Sequence, residues 1–157
     1  MINQNLARFR ARGFSLVEVL VALLVISIGM LGLAALYVET LRMNRTAIYR
    51  TQAVNLAADM AERIRANAAA GVAYAGAGAD SGCNEGGTAA VACTPAQMAA
   101  QDVFDWQQAT AALLPNGTAV LGFVAAGAGT PNVYTLTITW TEVSQAADLT
   151  FVMTVEA

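Results

Sequence analysis

The chain contains no histidine, no basic residue after Arg65 and no proline before Pro95. Without His it lacks the commonest general base and the commonest transition-metal ligand. No Ser or Cys nucleophile constellation compensates, so the chain is expected to be no enzyme and to need no cofactor. From residue 66 onward the only charges are seven acids: Asp80, Glu85, Asp102, Asp105, Glu142, Asp148 and Glu156. Such a stretch has no footprint for phosphate backbones, and direct nucleic-acid binding is not expected of it. Charge is scarce overall: 12% of the residues are charged against 57% hydrophobic, with a mean hydropathy of +0.52. At 157 residues that is too apolar for an ordinary soluble domain, so some apolar surface must face lipid.

There are two cysteines, Cys83 and Cys93, around a segment that includes Glu85, Gly86 and Gly87. If this part is exported, a structural disulfide between Cys83 and Cys93 is the natural outcome. In the cytosol a close pair would more often be free or redox-active thiols, although nothing resembles C-x-x-C. Asp80 and Glu85 bracket Gly-rich sequence but lack the spacing of a calcium loop, so no metal site is expected and a solvated acidic loop is the simpler account.

The long apolar run is VLVALLVISIGMLGLAALYV, the twenty uncharged residues from Val19 to Val38. A helix of that length rises about 30 Å, the thickness of a bilayer's hydrocarbon core. Arg8, Arg10 and Arg12 precede it and favour a cytoplasmic N-terminus. A conventional secretory signal peptide also has a basic start and an apolar centre, but its core is usually about 7 to 15 residues, and here an acid interrupts the beginning. That acid is Glu18. A carboxylate inside a membrane span costs about 3 kcal/mol on insertion scales, so it is rarely there without a partner; an interfacial Glu near the headgroups is the bland alternative.

The segment Arg12-Gly13-Phe14-Ser15-Leu16-Val17-Glu18, followed by the apolar run, resembles the class III signal of type IV prepilins and of type II secretion pseudopilins. In that family a membrane aspartyl peptidase cuts after the glycine and methylates the new N-terminal residue. The resemblance therefore implies cleavage between Gly13 and Phe14, N-methylation of Phe14, and an assembly role for Glu18, which would meet the new amine of a neighbouring subunit. Gly13 suits the cut physically, because a residue without a side chain can lie extended in a protease cleft.

The helix need not end with the membrane. Tyr49, Ala53, Leu56, Met60 and Ile64 recur at spacings that mark one helical face, on which a distal domain would fold. Asp59 and Arg63, four apart, support the polar side. With no proline in the way, one helix from about Ser15 to Asn67 is expected, roughly 80 Å long. Gly29 and Gly32 are its weak points and do not form a G-x-x-x-G pair.

Residues 68–93 are Ala- and Gly-rich without a period and predict a long loop. A second helix is expected from about Pro95 to Leu114, with Met98, Val103, Trp106, Ala109, Ala112 and Leu113 available to pack. Pro115-Asn116-Gly117 ends it. Strands follow at Ala119–Ala126, Val133–Trp140 and Leu149–Val155; in the middle one Tyr134, Leu136, Ile138 and Trp140 face inward and the threonines outward. The expected fold is α+β and pilin-like: a long N-terminal transmembrane and amphipathic helix packed on a small antiparallel sheet, with a short second helix. Its divisions are a leader at 1–13, a membrane half of the helix at 14–38, an exported half at 39–67, and a head with the disulfide loop at 68–157.

Gly29 to Ala34, Ala58 to Asn67, Trp106-Gln107 leading to Leu114-Pro115, and Tyr134 to Trp140 resemble the minor-pilin subgroup called type IV pilus modification protein V. That likeness implies a structural subunit that helps prime pilus assembly and is incorporated into the pilus, in support of adhesion and twitching motility. Its implied partners are the prepilin peptidase, other minor pilins and the major pilin, an inner-membrane assembly platform, and membrane lipid. Its implied place is a single-pass inner-membrane protein with a periplasmic head, later part of an extracellular pilus. A pseudopilin of a type II secretion system is the alternative; a membrane-tethered enzyme is disfavoured by the missing catalytic groups.

Overall fold

A computed structural model describes residues 13–83, 92–142, 145 and 147–157. Arg8, Arg10 and Arg12 of the leader, and Glu85, Gly86 and Gly87 between the cysteines, lie outside the described residues. The chain divides at Leu41 into two units.

The first unit is the beginning of helix α1, which runs Leu16–Ala66. Every residue from Gly13 to Leu41 is exposed within the chain. Apolar side chains cover all sides of this segment, which marks a helix whose packing partners are lipid or other chains. Two of its hydroxyls turn back on their own helix, Ser27 Oγ to the Leu23 carbonyl at 2.7 Å and Thr40 Oγ1 to the Leu36 carbonyl at 2.9 Å. A polar group in hydrocarbon needs such an internal acceptor.

The second unit, Arg42–Ala157, holds the core. There α1 buries only one stripe: Ala53, Leu56, Ala57, Met60, Ala61 and Ile64. This is the expected face, with Tyr49 half-buried at its margin. After Asn67 the chain departs from the expected loop and forms 3-10 turns over Ala68–Ala75, interrupted at Gly71 with φ 51° and ψ −121°. That conformation is open to glycine and costly for other residues. Alanine-rich sequence without a period carries no sign of this turn, because what fixes it is tertiary: Tyr74 is fully buried and Tyr134 donates its hydroxyl proton to the Gly71 carbonyl at 3.3 Å.

Helix α2 spans Pro95–Leu113. Thr94 caps it with a reciprocal box: its Oγ1 accepts from Gln97 N at 3.3 Å, and Gln97 Oε1 accepts from Thr94 N at 2.9 Å. Two orphan donors of the first turn are thereby satisfied, and Pro95 fills a position that needs no N–H. The buried face is Ala99, Gln101, Val103, Trp106 and Thr110, continued by Leu114 beyond the helix end. The sequence expectation is thus corrected at Met98, Ala112 and Leu113, which are exposed. The inward residues recur every three or four positions from Ala99, and Met98 and Leu113 fall off that line.

Three strands close the unit: β1 (Thr118–Val124), β2 (Val133–Trp140) and β3 (Leu149–Glu156), antiparallel in the order β1-β2-β3. Register places Leu121 opposite Leu136 and Ile138 opposite Phe151, so one face collects the large apolar side chains. Tyr134, Leu136, Ile138 and Trp140 are all buried, as the alternation predicts. The Trp106 indole joins α2 to α1, donating to the Leu56 carbonyl at 3.1 Å. The fold is a long N-terminal apolar helix, a small three-stranded antiparallel sheet and a short further helix, matching the expected α+β class.

Candidate functional site

The residues singled out for processing, Gly13 and Phe14, form the short non-helical lead into α1, and the Phe14 side chain is 83% exposed. Ser15 begins the helix. Its Oγ accepts from Glu18 N at 3.2 Å and its carbonyl accepts from Val19 N at 3.3 Å. This is an N-cap, and Ser15-x-x-Glu18 has the spacing of a capping box, a signal present in the sequence that the reading of Gly13, Phe14 and Glu18 passed over. The reciprocal half is missing: the Glu18 carboxylate makes no hydrogen bond or ion pair among the described residues. Three features thus lie close together at the start of α1: a glycine outside the helix, an exposed aromatic residue, and an acid whose carboxylate has no partner among the described residues.

The cysteines do pair. Cys83 and Cys93 form a disulfide with S–S 2.06 Å and Cα–Cα 6.0 Å. The strand of chain entering this loop is fastened to α2, because Ala79 N donates to the Ala100 carbonyl at 3.0 Å and Ser81 N donates to Gln101 Oε1 at 2.6 Å. Gln101 in turn donates to Asp105 Oδ1 at 2.9 Å, which explains a buried amide on an otherwise apolar face. Close approach here requires a glycine: a Cβ on Gly78 would meet Phe104 N at 2.5 Å. Asp80, weighed above for calcium, accepts from Gly82 N at 3.2 Å, and its proposed companion Glu85 is outside the described residues.

The later part of α1, in the second unit, carries a polar junction that sequence spacing only half revealed. Arg63 pairs with Asp59 at 2.9 Å, the expected four-apart pair, and also with Asp102 of α2 at 3.0 Å. Burial opposes the Arg63 charge, but the hydrogen bonds to Asp102 and Asp59 outweigh it and hold the guanidinium above its ordinary value. The Tyr74 hydroxyl lies 3.0 Å from Asp102 Oδ2 and 3.1 Å from the Arg63 carbonyl, with one proton to share between them. Burial, and after it the Asp102 charge, push the Tyr74 phenol up; burial does the same at Tyr134. With Tyr74 and Tyr134 packed edge to face at 6.0 Å, the junction is a structural one that locks α1, the 3-10 turns and α2 together. Among the described residues no group of three or more His, Cys, Asp and Glu is placed to hold a metal.

Comparison with known families falls on these same parts. Residues 8–34, which span Gly13, Phe14, Glu18 and most of the apolar run, match the family model of the prokaryotic N-terminal methylation motif. Residues 35–104, from the end of that run through the first half of α2, match the Tt1218-like family, described as type IV pilin Tt1218. No curated protein and no solved structure matches the chain.

Proposed function

We propose, from the matches to the type IV pilin Tt1218 model over residues 35–104 and to the N-terminal methylation motif over residues 8–34, that the chain works as a minor pilin, cut after Gly13, methylated on Phe14 and docked into the growing filament through Glu18. The observation that carries this reading is the Glu18 carboxylate, which sits one turn inside the new N-terminus on a residue whose backbone N–H is capped by Ser15, and makes no hydrogen bond or ion pair among the described residues. Cleavage would create an amine at Phe14, and an anion in a low-dielectric span is stabilised by such a cation from a neighbouring subunit. The exposed apolar surface of α1 from Leu16 to Leu41 supplies the rest of the contact, first with lipid and then with other subunits.

In this reading residues 1–13 are a cytoplasmic leader, α1 crosses the inner membrane once, and the disulfide-closed head lies in the periplasm before reaching the pilus. Its partners are the prepilin peptidase, the other minor pilins and the major pilin, and the assembly platform. Priming of assembly fits a head that carries its own core and its own covalent closure. Of the four stretches that carry the subgroup likeness to type IV pilus modification protein V, Ala58–Asn67, Trp106 to Leu114 and Tyr134–Trp140 supply inward residues of that core, and Gly29–Ala34 lies in the exposed apolar run.

Mass spectrometry of the mature chain tests the first step, with loss of residues 1–13 and one methyl group on Phe14 expected. The second step is tested by Glu18→Ala, which should leave leader removal intact and remove the subunit from sheared pili. An uncut Glu18→Ala chain would assign Glu18 to peptidase recognition and overturn the docking role. If deletion of the gene spares piliation and stops protein secretion, the chain is a pseudopilin of a type II secretion system.

A further inference from the structure

A cleft of about 420 Å³ opens in the second unit, between the start of its α1 segment, the turn after α2 and the end of β2. Arg42, Arg45, Thr46 and Tyr49 line one wall, and Asn116 and Glu142 stand on the others. Its size falls within the range of about 300 to 1,000 Å³ typical of small-molecule sites. The walls are tied together: Asn116 Nδ2 donates to Thr141 Oγ1 at 2.9 Å, and Thr141 N donates to the Pro115 carbonyl at 3.0 Å.

Glu142 is the unusual member. Its side chain is on a residue only 8% exposed, and its two oxygens accept from neutral donors, Thr46 Oγ1 at 2.5 Å and Trp140 Nε1 at 3.1 Å. No cation pairs with it among the described residues, although buried carboxylates are normally matched by one. Arg45, on the facing wall, is exposed and makes no ion pair among the described residues. One cleft therefore offers an anion in need of a cation beside a cation in need of an anion. A ligand that carries both, phosphate next to a primary ammonium, satisfies each without asking either to be neutralised.

Sequence position names the source of such a ligand. Arg42 and Arg45 follow the last residue of the apolar run, Val38, by four and seven positions on one helix, about 6 and 10 Å of rise. The polar layer of a bilayer extends about 5 to 8 Å beyond the hydrocarbon on each side. Helical side chains lean toward the N-terminus, and arginines reach along the helix to phosphates, so both guanidinium groups fall at headgroup level. We propose that this cleft binds the headgroup of an aminophospholipid, its phosphodiester on Arg45 and Arg42 and its ammonium on Glu142. The inference rests on the membrane-inserted reading above. It gives the subunit a polar hold on the bilayer, separate from the apolar hold of Leu16 to Leu41, that must be released when the subunit is drawn out.

Native mass spectrometry of the full chain in detergent micelles tests this, with phosphatidylethanolamine, phosphatidylglycerol and phosphatidylcholine of identical acyl chains added in turn. One retained phosphatidylethanolamine is expected, favoured about tenfold over the other two, the loss expected for one charge-assisted hydrogen bond. Arg45→Ala should bring it to the phosphatidylcholine level and Arg45→Lys should restore part of it. Glu142→Gln should erase the preference over phosphatidylglycerol. Soluble glycerophosphoethanolamine should displace the lipid and inorganic phosphate should not. Equal retention of the three lipids, or unchanged retention by Arg45→Ala, overturns the proposal; displacement by phosphate alone makes the cleft an anion site and overturns it too. If Glu142→Gln does not fold, as judged by its melting curve, the wild-type lipid comparison and Arg45→Ala still decide. Absence of the chain from the membrane fraction would instead overturn the membrane-inserted reading, while soluble-headgroup binding would still report on the cleft.

Discussion

One helix serves two kinds of surface. From Leu16 to Leu41, α1 buries nothing within the chain; from Ala53 to Ile64 it buries a single stripe. The composition changes with the surroundings. The first stretch is apolar on every side and almost free of charge, while the second alternates buried Ala, Leu, Met and Ile with Asp59, Glu62, Arg63 and Arg65. The difference teaches that a helix in this chain is not one structural quantity. Its first part packs on nothing among the described residues, and its second part draws stability from the core of the second unit.

Removing a core anchor is the strongest way to break that comparison. Trp106 is buried against α1 and donates its indole N–H to the Leu56 carbonyl. Trp106→Ala should cost the head about 3 to 5 kcal/mol, whereas Leu24→Ala should leave the head's melting unchanged. Near-ultraviolet circular dichroism of the full chain in detergent, followed on heating, reads both. A comparable loss from Leu24→Ala would mean that the two parts of α1 share one cooperative unit.

The two parts were also unequally legible. An apolar run, a 3.6-period stripe at Ala53, Leu56, Met60 and Ile64, and the alternation in β2 depend on local pattern, and all appear as expected. The motif residues Gly13, Phe14 and Glu18 lie together in sequence, so their proximity was known in advance. What escaped were contacts whose partners are far apart in the chain: Arg63 with Asp102, and Thr46 with Glu142 across 96 positions. Glu142 read only as one more acid of the head because nothing local marks a carboxylate that burial will isolate. The turns at Ala68–Ala75 were hidden for the same reason, since Tyr74 is fixed by Asp102 and not by its alanine neighbours.

Next in size is the disulfide. Cys83 and Cys93 are ten positions apart, and closing a loop of that length is worth about 2 to 3 kcal/mol in the chain-entropy account. Cys83→Ser together with Cys93→Ser should lower the denaturation midpoint of the head by that amount. Loss of more would show that the bridge also holds the Gly78–Ser81 segment against α2, which hydrogen exchange at Ala79 N and Ser81 N would reveal.

Alkaline titration sharpens the picture of the polar junction. The Tyr74 phenol is pushed above its ordinary value of 10.0 in the folded state. Its contribution to stability is therefore full below about pH 10 and lost as pH rises beyond it, because the unfolded chain ionises first. Tyr74→Phe should remove that alkaline loss and, by leaving Asp102 with Arg63 alone, cost about 1 to 2 kcal/mol at neutral pH. Denaturant titrations at pH 7 and above pH 10 measure both effects. An alkaline loss undiminished in Tyr74→Phe would place the titrating group elsewhere, with Tyr134 the first candidate.

The smallest effect divides the two regions most cleanly, because each helix starts with the same chemistry. Ser15 caps α1 by accepting from Glu18 N, and Thr94 caps α2 by accepting from Gln97 N. The loss of a hydroxyl cap costs about 1 kcal/mol in a folded domain. Thr94→Ala should show that loss in the melting of the head, since α2 carries Val103 and Trp106 into the core. Ser15→Ala should not, since no residue near it packs on the head; its effect is confined to fraying of the first turn, seen as faster hydrogen exchange at Glu18 N. In a bilayer that freed N–H has no water to turn to, so the same substitution should act on insertion and on the placing of the Glu18 carboxylate. Full processing with reduced incorporation into filaments is the expected outcome for Ser15→Ala, weaker than for Glu18→Ala. Equal incorporation by Ser15→Ala and the wild type would mean that the cap has no part in the docking proposed for Glu18.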